Sequence, residues 1–165
     1  MIPKVATEPL PVDARLPQEL VASSVFLLKR LGHAAKLKTM DAYEQAGVNP
    51  YHYAILVLLD EGVRETQAAI ADALGYDRGT LVGLLDELES QGLIERRRDP
   101  EDRRRHLVVL TADGKRKLAQ LRTLARRTED EFLASLDETE RTALHGLLLR
   151  LATVHEPRCA GSSSV

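Results

Sequence analysis

A chain of 165 residues with 44% hydrophobic content is long enough to bury one core, and 23 Lys and Arg against 25 Asp and Glu leave a formal net charge of -2. That balance excludes a uniformly basic nucleic-acid binder, so a polyanionic partner can be served only by basic groups gathered on one surface. The single cysteine, Cys159, excludes an intramolecular disulfide, and five histidines scattered without ligand spacing point to no metal and no cofactor.

Prolines at positions 3, 9, 11 and 17 deny residues 1–17 helical hydrogen bonds; they are expected to form a flexible arm and carry no signal-peptide core. From Gln18 to about Gln45, Leu20, Val21, Ser24, Val25, Leu28 and Leu31 recur at spacings of three and four, which predicts one helix ending before Gly47. Asn49 and Pro50 open a second helix as cap and first-turn proline, with Tyr51, Ala54, Ile55, Leu58 and Leu59 on one face and a stop at Gly62. Thr66 caps a third helix that is expected to bury Ile70, Ala73 and Leu74, closed by Gly75. Asp77 caps a fourth, whose Leu81, Leu84, Leu85 and Leu88 make a narrow apolar stripe ending at Gly92. Residues 93–98 and 106–110 read as strands around the turn chemistry of Asp99, Pro100, Glu101 and Asp102. Thr111 starts a long helix to about Ser135, Asp137 caps a last one through Leu144, Leu147, Leu148 and Leu151, and the Gly- and Ser-rich tail from Pro157 is expected to be disordered. The longest apolar run, residues 54–59, is too short to span a bilayer, so a soluble, cytoplasmic protein with no membrane partner is expected.

Helix, helix, strand, charged hairpin, strand is the order of a winged helix-turn-helix. With the leucines of the fourth helix turned inward, Gly79, Val82, Gly83 and Asp86 point outward. Arg78, Gly79, Thr80, Val82 and Gly83 are therefore candidates to enter a major groove, where base edges are reached. Thr66 and Gln67, at the start of the third helix, are candidates to hold phosphate. Between Leu93 and His106 six arginines stand against four acids, a local excess of positive charge.

The segment DPEDRRRHLVVLTADG, supported by GVNPYHYAIL and GTLVGLLDELESQGLIER, resembles the MarR family of regulators (multiple antibiotic resistance regulators), and the likeness extends from Gln18 to Leu151. The resemblance implies a mainly α fold with a small β-hairpin wing, in which a winged helix-turn-helix DNA-binding lobe is joined to a helical dimerisation region. Residues 18–48 would be a dimerisation helix, 49–111 the DNA-binding lobe, 112–156 C-terminal dimerisation helices and 157–165 the tail. In the wing it implies that Asp102 braces Arg104, that Arg104 enters the minor groove, and that Arg103 and Arg105 serve phosphates. Many family members carry Thr and Arg where this chain has Val82 and Gly83, which shifts the expected affinity toward the wing.

The partners implied are double-stranded DNA with a palindromic operator, half-sites about 10 bp apart, and a second copy of the chain as homodimer. A small aromatic or phenolic ligand relieving repression is implied as well, with Arg30, His33, Tyr51 and His52 as candidate ligand groups. The basic half of the helix after the wing, from Lys115 to Arg127, either adds to the DNA-facing field or is a solvated face. A thiol switch at Cys159 is not expected. No triad order, phosphate loop or dinucleotide fingerprint suggests an enzyme. The alternatives are a winged-helix module that binds protein and a DNA-binding regulator without a ligand.

Overall fold

The computed structural model describes residues 15–62, 66–100, 102 and 106–159. The described residues fall into two compact units, one up to Leu37 and one from Lys38 onward. Among the described residues no helix is long and apolar enough to cross a membrane.

The helix predicted from Gln18 is two helices, α1 (Gln18–Val21) and α2 (Ser24–Gln45). The break has a local cause. Ser23 accepts a hydrogen bond from the Phe26 N–H at 3.3 Å, a serine hydroxyl serving as a start signal where uninterrupted helix would leave it idle. On α2, Val25, Leu31 and Leu37 are exposed, and Gly47 follows the helix in the left-handed region.

In the second unit, α3 (Pro50–Asp60) starts as expected, with Asn49 accepting from the Tyr51 N–H at 3.0 Å. Its buried face keeps Ile55, Leu58 and Leu59 of the predicted stripe but is turned away from Tyr51. His52, Ile55, Leu56, Leu58 and Leu59 are buried, whereas Tyr51 is 44% exposed. The two stripes share Ile55, Leu58 and Leu59, and the helix takes the one that adds His52 and Leu56. Tyr51, amphipathic, stays at the surface and meets Tyr76 edge-on at 5.7 Å between ring centroids.

Helix α4 (Gln67–Leu74) is capped by Thr66 and closed by Gly75 at φ 69°. It buries Ile70 and Ala71, while Ala73 and Leu74 are only half-buried; so short a helix turns one narrow edge inward. Helix α5 (Arg78–Ser90) buries Leu81, Leu84, Leu85 and Leu88 as expected. Strands β1 (Ile94–Arg98) and β2 (His106–Leu110) pair antiparallel from Ile94↔Leu110 to Arg98↔His106. Ile94 and Val108, on the inner face, close over the helices.

Helix α6 (Ala112–Phe132) stops short of the predicted Ser135, and α7 (Glu138–His155) begins with a full capping box between Asp137 and Glu140. Pro157–Cys159 forms a 3-10 turn where a disordered tail was expected, and residues 160–165 lie outside the described residues. Thr111 joins the wing to α6: its oxygen accepts from the Gly114 N–H at 3.0 Å, and its hydroxyl donates to the Gly92 carbonyl at 2.6 Å. Thr111→Ala removes both and leaves two backbone groups to find water. A loss of about 1–2 kcal/mol is expected, to be read from urea unfolding midpoints.

Candidate nucleic-acid interface

The outer face of α5 is laid out by its cap. Asp77 accepts from the Thr80 N–H at 2.9 Å, and the Thr80 hydroxyl donates to the other carboxylate oxygen at 2.5 Å. These hydrogen bonds hold the Asp77 carboxyl below the usual carboxylate range. Thr80 is thereby committed to the cap, so its hydroxyl hydrogen does not point to a phosphate. Arg78, Gly79, Val82 and Gly83 are all exposed. A side chain at Gly83 would meet open space, whereas one at Gly79 would come within 3.3 Å of Asp77 Oδ1.

Thr66 and Gln67 sit beside the wing, Thr66 forming an isolated bridge to Leu107 of β2. Together with Ala68, Arg96 and His106 they line one open shelf. The Thr66 oxygen accepts from the Ala69 N–H at 3.3 Å, which leaves its hydroxyl hydrogen available as a donor. His106, at the start of β2, was not singled out from the sequence; only the strand register brings it to Thr66 and Gln67.

In the wing, composition overstates the positive charge available to a ligand. Arg96 reaches back from β1 to α5, with Nη2 on Asp86 Oδ1 at 2.6 Å and Nη1 on Glu89. Its backbone N–H also donates to Glu89 Oε1 at 3.1 Å. Burial works against the Arg96 charge, but the hydrogen bonds and charges of Asp86 and Glu89 outweigh it and raise its pKa. Arg97 pairs with Glu95. Asp102 is exposed. Arg103, Arg104 and Arg105 lie outside the described residues. The Arg96 clamp was not singled out from the sequence, although a signal existed: two acids three apart on a face expected to meet a polyanion need a local cation.

Three of the six basic residues between Lys115 and Arg127 are tied to acids. Arg122 meets Asp60 of α3 at 2.8 Å, Arg127 meets Glu131 at 2.9 Å, and Arg116 pairs with Asp113. Those pairs favour the solvated-face reading of this segment over a DNA-facing one.

Of the four candidate ligand groups, Arg30, His33 and Tyr51 are exposed. His52 is not: it is buried under α5, with Nε2 3.0 Å from Glu87 Oε2 and no well-aligned hydrogen bond. Burial is the largest influence on His52 and pushes its pKa below 6.5, against the opposing pull of Glu87. The unfolded chain therefore takes up a proton more readily than the folded one. Stability from this group is present above the ordinary histidine value and is lost as pH falls through it. Thermal midpoints should drop between about pH 7.5 and 5.5, and His52→Gln should flatten that drop.

A model of the MarR family matches residues 46–105, from just before α3 through the wing turn. The chain is 33% identical to the transcriptional repressor CouR bound to a 23-mer DNA duplex, with a TM-score of 0.73, covering 84% of this chain and 99% of that one. The chain belongs to the MarR family. A second CouR structure, from Rhodococcus jostii RHA1 and bound to p-coumaroyl-CoA, is 29% identical at a TM-score of 0.67, over 82% of this chain and 96% of the other. The putative transcriptional regulatory protein for the hcr operon of Thauera aromatica is 37% identical over 105 residues, 64% of this chain. That match spans 63% of the Thauera protein, less than two thirds of its length. MarR-family proteins are transcription regulators, and this chain carries the winged helix of its family.

Proposed function

We propose that this MarR-family regulator acts in the cytoplasm as a homodimeric repressor on a palindromic double-stranded operator and is released by a small aromatic ligand. The observation that carries the DNA reading is the likeness to CouR on its duplex, joined to an α5 whose outer face is small and open around one arginine, Arg78. In this reading α5 enters the major groove through Arg78, Gly79, Val82 and Gly83. Thr66 and Gln67 hold a phosphate, and Asp102 orients Arg104 toward the minor groove with Arg103 and Arg105 on the backbone.

The open space at Gly83 supports a gain of function. Gly83→Arg adds a helix-favouring residue and a cation on the groove face. Binding to any duplex should tighten about tenfold at low salt, read by fluorescence anisotropy; unchanged affinity would place that face away from DNA.

Exposed leucines support the dimer: Leu31 and Leu37 on α2, Leu147, Leu149 and Leu151 on α7. Apolar surface left uncovered on two terminal helices is what a second copy would bury. Light scattering should give twice the chain mass. For the ligand, Arg30, His33 and Tyr51 remain the candidate groups, and His52 is withdrawn because it is enclosed in the core. The p-coumaroyl-CoA held by CouR makes aromatic acids and their CoA thioesters the panel to test. Release of operator DNA by one of them supports the ligand, and retention with every compound leaves a regulator without one.

A further inference from the structure

We propose that Arg96 is a positioning residue of the DNA-reading surface, committed to Asp86 and Glu89 so that it locks the wing to α5 and makes no phosphate contact itself. The inference rests on the DNA-binding reading above. Three observations carry it. The guanidinium bridges two acids three residues apart on α5, and the same strand position donates its backbone N–H to Glu89, so both side chain and main chain of β1 are fixed to the helix. Arg96 is only 20% exposed, against 66% for Arg97. Arg96 also sits on the shelf with Thr66, Gln67 and His106, where the start of α4 meets both wing strands.

The consequence is a relation of angles. The two strands lead into the wing turn at the Arg98↔His106 pair, so the hold of Arg96 on α5 fixes the base from which that turn is presented. A wing that swings misplaces its arginines against one groove while α5 sits in the next. Specific binding needs both at once, and non-specific binding does not.

The acids provide a test whose sign is decisive. Asp86 and Glu89 lie on a face presented to a polyanion, so deleting either should tighten DNA binding if charge alone mattered. The interlock predicts the reverse. The full-length protein would be titrated over a salt series with operator duplex and with a scrambled duplex of equal length. Glu89→Ala, Asp86→Ala and Arg96→Gln should each weaken operator binding about tenfold, with scrambled-duplex binding of the two acid variants unchanged or slightly tighter. Alanine favours helix, so the acid variants keep α5 even if Arg96→Gln folds poorly. The slope of log affinity against log salt should stay at the wild-type value in all three, and Arg96→Gln/Glu89→Ala should be no weaker than Arg96→Gln alone. A slope reduced by about one in Arg96→Gln would make Arg96 a phosphate contact, and tighter operator binding by the acid variants would likewise overturn the interlock. Absence of any operator preference in the wild type would remove the DNA reading on which it rests.

Discussion

Arg104→Ala is expected to weaken operator binding by about a hundredfold while leaving the helical content of the protein unchanged. The reason is the combination of charge and placement. A narrow minor groove concentrates negative potential, and a guanidinium already oriented by a carboxylate enters it with little ordering cost. A single such contact is worth about 1–3 kcal/mol, and a two-fold dimer loses it at both half-sites. If Asp102 braces Arg104 as proposed, Asp102→Asn should give a smaller loss in the same direction, since the cation remains. Far-UV circular dichroism beside the binding curve separates this result from unfolding. Unchanged affinity in Arg104→Ala would sink the wing assignment and transfer the reading to Arg78.

Gly114→Ala should cost about 3 kcal/mol of stability, an effect of overpacking. A Cβ at Gly114 would lie 2.0 Å from the Leu93 carbonyl oxygen and 3.2 Å from a Leu110 methyl carbon. The first of these neighbours is main chain, which cannot rotate away, so the start of α6 would have to separate from the base of the wing. A fall of roughly 10 °C in the thermal midpoint is expected for a domain of this size. Gly83→Ala is the matched control. It sits in mid-helix with nothing near its Cβ position and should raise stability by about 0.5–1 kcal/mol through helix propensity alone. Equal effects at the two glycines would contradict the packing described for α6 against Leu93.

How much of this was legible in the sequence depends on whether local chemistry or tertiary packing decides. Caps are local, and Asn49, Thr66, Asp77, Thr111 and Asp137 all sit where their short oxygen side chains predicted. The leucine stripe of α5 was legible because its four members have no competing set. Tyr51 against His52 was not, because two helical faces shared the same aliphatic residues and the neighbours that choose between them come from α4, α5, α6 and β2. The break before Ser24 competed with a stripe that ran unbroken through it.

At the site, the residues offered by α4 and α5 were legible from cap and wheel, but the state of their polar groups was not. Thr80 turned out to be occupied by its own cap, and His52 to be enclosed beside Glu87. The Arg96 clamp joins β1 to α5 across residues ten and seven apart in sequence, a pairing that neither helical nor strand periodicity encodes. For the same reason the wing's net charge was a poor guide: the count of arginines does not say which of them already has a carboxylate partner.

The most direct measurement is an electrophoretic mobility shift of the full-length protein on the intergenic DNA beside its gene, with a scrambled duplex as competitor and a series of salt concentrations. The expected result is a discrete shifted species that survives excess scrambled DNA, weakens steeply as salt rises, and is missing with Arg104→Ala. A folded, dimeric protein that shows no preference for any duplex at low salt would contradict it.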